Sequence, residues 1–163
     1  MNMHTIKYAL IALACTAMMM FLFSGCNKED STDNELNGTE WFVKVEGDEY
    51  DDEIWPNEIY TLVFSKGNAK LTCSTAGINI SMKFTYIYSK PTVVLSQGEP
   101  VLDGEGAWIW ALAAEESDMT LKELKEELAS YTLVATVLGE TLRFSDDMLT
   151  DDNGDGLVFT RIK

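Results

Sequence analysis

Ile78-Asn79-Ile80-Ser81-Met82-Lys83-Phe84-Thr85-Tyr86-Ile87-Tyr88-Ser89 decides the fold of this 163-residue chain. Ile78, Ile80, Met82, Phe84, Tyr86 and Tyr88 alternate with Asn79, Ser81, Lys83, Thr85, Ile87 and Ser89. A period of two turns one row of side chains toward a core and the other toward water, which is the pattern of a half-buried antiparallel strand. A slip of one residue would expose the whole apolar row, so the register of this strand is strongly specified. Lys90-Pro91 ends it, because proline has no N–H to give to a sheet ladder. The residues that follow, 92–96, form another strand.

Upstream, Tyr60-Thr61-Leu62-Val63-Phe64 carries large residues at alternate positions, and Lys66-Gly67-Asn68 is a turn. The chain returns over 70–75 with Leu71 and Cys73 inward and turns again at Ala76-Gly77. Before these hairpins, Trp41 and Val43 share one face of a first strand, 46–52 is a charged loop, and Pro56-Asn57 bars a strand interior. Downstream, residues 101–116 read two ways. Ala107-Trp108-Ile109-Trp110-Ala111-Leu112 alternates like a strand, while 111–116 suits the start of a helix. A short helix follows: Thr120 and Glu123 are spaced as a capping box, and Leu121, Leu124 and Leu128 recur at helical intervals. Residues 133–138 and 141–145 flank Gly139-Glu140 as a hairpin, and Leu157-Val158-Phe159-Thr160-Arg161-Ile162 closes the chain as a last strand. Turn signals every eight to twelve residues and one short helix predict an all-β domain, a small antiparallel up-and-down β-barrel of about eight strands.

The N-terminus reads differently. Met1 to Lys7 carries a base and no acid, and Tyr8 to Phe23 is a sixteen-residue apolar run. That is shorter than the roughly 20 residues of a spanning helix, and the order of charge then apolar run is that of a secretory signal. It ends in Phe23-Ser24-Gly25-Cys26, which resembles the lipobox of bacterial lipoproteins, where cleavage precedes a lipid-carrying cysteine. Lys28-Glu29-Asp30 resembles the export tag of surface lipoproteins of some Gram-negative bacteria. These resemblances imply a signal peptide over 1–25, lipidation at Cys26 and a flexible acidic tether over 26–37. The barrel domain would then occupy 38–163, anchored to the outer membrane and facing the cell exterior. Acyl chains contribute about 0.8 kcal/mol per buried CH₂, so two or more hold a protein at a bilayer that no segment crosses.

The whole chain has 12 Lys and Arg against 27 Asp and Glu; without 1–25, which holds Lys7, the balance is 11 − 27 = −16. Such a charge repels nucleic acid and anionic head groups. Once His4 leaves with the signal no histidine remains, which removes Ser-His-Asp and Cys-His catalysis and histidine-ligated zinc. Cys15 leaves too, and with Cys26 lipidated Cys73 has no intrachain partner, so Cys73 reads as a small buried apolar residue. The composition singles out no catalytic pair and implies no cofactor.

From Gly38 to Lys163 the chain resembles the lipocalin-like lipoproteins of Gram-negative bacteria. The likeness rests on the Gly38-Thr39-Glu40-Trp41 opening, the Tyr86-Ile87-Tyr88 strand before Pro91, the late hairpin and the final Phe159-Thr160-Arg161. The resemblance implies a non-catalytic barrel whose last-strand Arg161 lies across first-strand Trp41. It also implies a small apolar ligand held in the barrel mouth, or no ligand. Trp108 and Trp110, with Tyr86 and Tyr88, are the candidate ligand-binding residues. On an exposed strand the two tryptophans would make a sugar-stacking platform, whereas in a core or barrel mouth they fill volume. The large inward residues Phe64, Met82, Phe84, Tyr86 and Tyr88 can fill an eight-stranded barrel, leaving a structural or interaction protein with a protein partner as the alternative. Asp151-Asp152-Asn153-Gly154-Asp155-Gly156 matches the first half of a calcium loop, with oxygens on Asp151, Asn153 and Asp155, but Ile162 stands where the bidentate carboxylate belongs.

Overall fold

Ile78–Ser89 forms one unbroken strand, β6, with Ile80, Met82, Phe84 and Tyr86 buried and Lys83, Thr85 and Ile87 exposed. The computed structural model of the chain describes residues 35–47, 49–50, 53–54, 56–104, 106–145, 149–150 and 154–163. The remaining strands are β1 (Glu40–Val45), β2 (Glu49–Tyr50), β3 (Glu53–Ile54), β4 (Glu58–Ser65), β5 (Asn68–Thr75), β7 (Thr92–Pro100), β8 (Leu133–Leu138), β9 (Thr141–Phe144) and β10 (Val158–Arg161). The helices are α1 (Ala107–Glu116) and α2 (Leu121–Ser130).

Eight strands close into an antiparallel barrel in the order β1-β10-β9-β8-β7-β6-β5-β4, and β2 and β3 pair apart as a small hairpin between β1 and β4. The barrel is therefore an up-and-down meander whose first and last strands meet, with Trp41 opposite Arg161 and Phe42 opposite Thr160. Local chemistry makes the hairpins tight. Lys66-Gly67 and Ala76-Gly77 both take positive φ (48° and 79°, 48° and 81°), the pair of left-handed residues that matches the twist of the flanking strands. Gly139, at φ 61°, does the same work in the β8–β9 turn. Between Lys83 and Thr85 the β6–β7 register shifts at a bulge, and Gln97 on β7 has φ 54°.

The strand directions sort the connections onto two ends of the barrel. The turns at 66–67, 90–91 and 139–140 share one end with both described termini, residues 35–39 and 161–163. This is called the proximal end. The longer connections lie at the other, distal end: 46–57, the helical stretch 101–132 and the β9–β10 loop.

The helix after Thr120 forms as its sequence predicts. The Thr120 hydroxyl accepts from the Glu123 N–H at 3.2 Å, and the Glu123 carboxylate accepts from the Thr120 N–H at 2.8 Å. These contacts hold the Glu123 carboxyl below its ordinary pKa, chiefly through the backbone N–H of Thr120. Leu124 and Leu128 are the buried face of α2, which packs along the part of β7 beyond Leu95, where β8 no longer pairs with it.

A second helix replaces the strand-like reading of Ala107–Leu112. Ala107, Ala111, Ala113 and Ala114 are strong helix formers, and Ile109, Trp110, Ala113 and Ala114 fall on one buried helical stripe. Two glycines let the helices come close. A Cβ on Gly98 would lie 2.9 Å from the Leu128 carbonyl oxygen, and one on Gly106 only 1.9 Å from that of Asn79. The folded domain also begins earlier than Gly38. Leu36 is buried, and the Asn37 side chain accepts from the Lys66 N–H at 2.8 Å, so at least 35–37 belong to the barrel rather than to a tether.

Gly106→Ala would push its methyl into the backbone of β6, a contact no side-chain rotation relieves. A loss of about 1–3 kcal/mol is expected, read as a lower urea midpoint with an unchanged slope.

Candidate functional site

The proximal end is built around Trp41, which is wholly buried. Its Nε1 donates to the Thr39 hydroxyl at 2.8 Å, and that hydroxyl donates to the Leu36 carbonyl at 2.7 Å. The Gly38-Thr39-Glu40-Trp41 opening thus satisfies the indole from within its own segment. Gly38, at φ 79°, turns the chain so that its N–H reaches the Phe64 carbonyl at 2.9 Å. Arg161 closes the ring: its guanidinium carbon lies 6.0 Å from the Trp41 ring centroid, at the outer reach of a cation–π contact. Its Nε donates to the Lys163 carbonyl at 3.2 Å. The Trp41–Arg161 pairing anticipated from the chain's two ends is therefore present.

Beside this pair the Glu35 carboxylate accepts hydrogen bonds from the Tyr88 hydroxyl and from Lys90 Nζ, the latter at 3.2 Å. The Tyr88 bond, then that of Lys90, holds the Glu35 carboxyl below its ordinary value. Burial, then the hydrogen bond to Glu35, pushes the Tyr88 phenol up to about 12. Tyr88 thus belongs to the clasp that fastens the N-terminal segment, while Tyr86 is buried and packs edge-on against Phe64 with ring centroids 4.9 Å apart.

At the distal end α1 separates the two tryptophans. Residues two apart on a helix point about 200° away from each other, so Trp110 is buried and Trp108 is 48% exposed. Trp108 and Trp110 therefore do not form one stacking platform; Trp108 stands at the distal end and Tyr88 at the proximal end, while Trp110 and Tyr86 are both buried. Inside the barrel toward this end, Glu58 and Tyr60 share the inward face of β4, and the Tyr60 hydroxyl donates to Glu58 Oε2 at 2.5 Å. Cys73 pairs across from Tyr60 in the register and is buried. Burial, then the Glu58 charge, pushes the Cys73 thiol up to about 12, which keeps it a protonated and poorly nucleophilic core residue, as its place in the strand pattern predicted. Burial likewise raises the Tyr60 phenol. Two buried polar atoms, Thr75 Oγ1 and Trp110 Nε1, have no hydrogen-bond partner among the described residues.

Cys26, Lys28, Glu29 and Asp30 lie outside the described residues, as do Asp151 and Asn153 of the calcium-loop match; Asp155 is exposed. Sequence reasoning gave Glu35 no place in the fold and gave Leu36 and Thr39 no role in holding Trp41. The signal for Leu36 was a lone apolar residue in an acidic stretch, and nothing local marked Glu35 as the partner of Tyr88, 53 residues away. No protein-family model, curated protein or solved structure matches this chain.

Arg161→Lys keeps the charge and loses the flat guanidinium. It should destabilise the domain by about 0.5–2 kcal/mol and alter tryptophan emission, with the emission change absent in a Trp41→Phe background.

The Glu35 contacts carry a definite pH dependence. A carboxyl whose folded pKa is depressed adds stability above its unfolded value and loses it as pH falls through the folded value. Wild type should therefore exceed Glu35→Gln in stability near neutral pH. The gap should shrink below the ordinary carboxylate value of 4.5 and close in stronger acid, as followed by denaturant titration across that range.

Proposed function

We propose that this chain is a lipid-anchored, non-catalytic lipoprotein of the outer membrane, displayed on the cell surface. Its filled lipocalin-like barrel serves as a rigid carrier for a protein-binding end. The observation that carries this reading is the packing of the barrel interior. Trp41, Leu62, Phe64, Val93, Leu95, Leu142, Phe144 and Phe159 are each at most 1% exposed and belong to one continuous core with α1 and α2. Interior-facing side chains of this size occupy the space that ligand-carrying barrels leave open. The address rests on Phe23-Ser24-Gly25-Cys26 and Lys28-Glu29-Asp30, and the non-catalytic reading on the lack of histidine after the signal.

The polarity of the fold agrees with such an anchor. The N-terminal segment enters the barrel at the proximal end, so a lipid at Cys26 would leave the helix-bearing end facing outward. A second reading, a small apolar or glycan ligand held at the mouth, draws support from the unpartnered Trp110 Nε1 and Thr75 Oγ1. Polar atoms buried without partners cost about 1–3 kcal/mol each and are what a bound polar group would relieve.

Native mass spectrometry of the full chain, extracted from the membranes of its own host, separates the two. The expected spectrum shows a chain lacking 1–25, carrying acyl mass at Cys26 and bound to a protein. A co-purifying small molecule with no protein would overturn the carrier reading in favour of the ligand one, and an unmodified Cys26 would overturn the anchor.

A further inference from the structure

Helix α1 is apolar on both sides through its first eight residues, Ala107-Trp108-Ile109-Trp110-Ala111-Leu112-Ala113-Ala114. A helix of this kind is ordinarily buried all round. Here only Ile109, Trp110, Ala113 and Ala114 are buried. The opposite stripe presents Trp108 at 48% exposure, Ala111 exposed and Leu112 half-buried, with Leu102 at 38% in the preceding segment. Large exposed aromatics among other apolar groups mark interaction surfaces, and tryptophan is among the commonest binding anchors.

We propose that the outer face of α1, centred on Trp108, is the docking surface for a cationic protein segment, one that offers an apolar socket flanked by Lys or Arg. This rests on the reading of the barrel as a protein-binding carrier. The charge around the face selects the occupant. Asp103, Glu115 and Asp118 stand exposed before the helix, on its outer face and just after it; no Lys, Arg or His occurs from 92 to 121, and the next base, Lys122 on α2, is paired with Glu126. An anionic membrane surface is repelled by such a border. A second copy of the same face would set acid against acid across a two-fold contact. A basic partner gains at both levels, with Trp108 desolvated in a socket and the flanking acids paired at the rim.

The face also points the right way for an external partner. Gly106, at the start of α1, lies against Asn79 near the beginning of β6, whereas Tyr88 near the end of that strand holds the incoming N-terminal segment through Glu35. At about 3.3 Å per residue, the strand between these points sets Trp108 roughly 30 Å from the chain's entry.

The test titrates the full chain with a synthetic amphipathic Lys–Leu helix peptide, reading tryptophan emission and calorimetric heat, and repeats the titration with a Glu–Leu peptide of the same apolar face. Trp108→Ser should weaken the Lys–Leu peptide roughly tenfold or more while the domain stays folded at the titration temperature, because half of the side chain lies outside the fold. Ile87→Ser, at an exposed position of β6, should leave the affinity unchanged and shows whether the loss is specific to α1. Equal binding by Trp108→Ser, equal binding of the Glu–Leu peptide, or no binding at all would overturn the proposal. So would a dimer in sedimentation that Trp108→Ser abolishes, or binding to anionic phosphatidylglycerol vesicles that depends on Trp108. If a protein co-purifies with wild type and remains bound to Trp108→Ser, this inference fails while the carrier reading stands. A small molecule in place of any protein removes the carrier reading itself.

Discussion

The barrel depends on one junction, where β1 and β10 meet at Trp41 and Arg161. A meander of eight strands has two free edges until its ends pair, and a free edge leaves backbone N–H and C=O groups without partners. Closure here is held by the Trp41–Arg161 register and by backbone bonds in which the Ile162 N–H reaches the Glu40 carbonyl at 2.8 Å and the Glu40 N–H reaches that of Lys163 at 3.1 Å. The indole needs a polar partner for its N–H and cover for its face. Thr39 supplies the first and Arg161 the second, so two distant ends of the chain converge on one side chain.

Closure at one end frees the other to diversify. Proximal turns are two residues long because left-handed Lys66-Gly67 and the glycine of Gly139-Glu140 need no support beyond the strands they join. Apart from the two-residue turn at Ala76-Gly77, the distal connections are longer and carry the helices, whose apolar stripes complete the core above the strands. The close approaches at Gly98 and Gly106 show how little room separates α1 and α2 from the sheet. Stability is therefore concentrated in a filled interior with anchored termini, and the distal surface can vary without disturbing it.

Much of the candidate chemistry was legible as types and little of it as places. Trp41 and Arg161 were paired through the resemblance of the chain's two ends to lipocalin-like barrels, and a closed meander brings its first and last strands together. The inward row of β6 was readable because a strand's period is independent of what it packs against. Trp108 and Trp110 were misplaced relative to each other: six apolar residues in a row satisfy both a period of 2 and a period near 3.6, so periodicity alone cannot separate a strand from a helix there. Glu35 and Leu36 looked like tether because an acidic, polar context describes solubility and says nothing about which carboxylate will find a tyrosine across the barrel.

The sequence by itself determined the eight barrel strands, the tight turns, the capped helix and the all-β class, because each rests on local conformational preference or on a short repeating pattern. Only the tertiary structure decided that residues 35–37 join the fold, that α1 is a helix with one tryptophan in the core and one in solvent, and that Tyr88 fastens the N-terminal segment instead of lining a mouth. Each of these depends on a contact between segments far apart in the chain. Such contacts are set by the shape of the closed barrel, which no local pattern encodes.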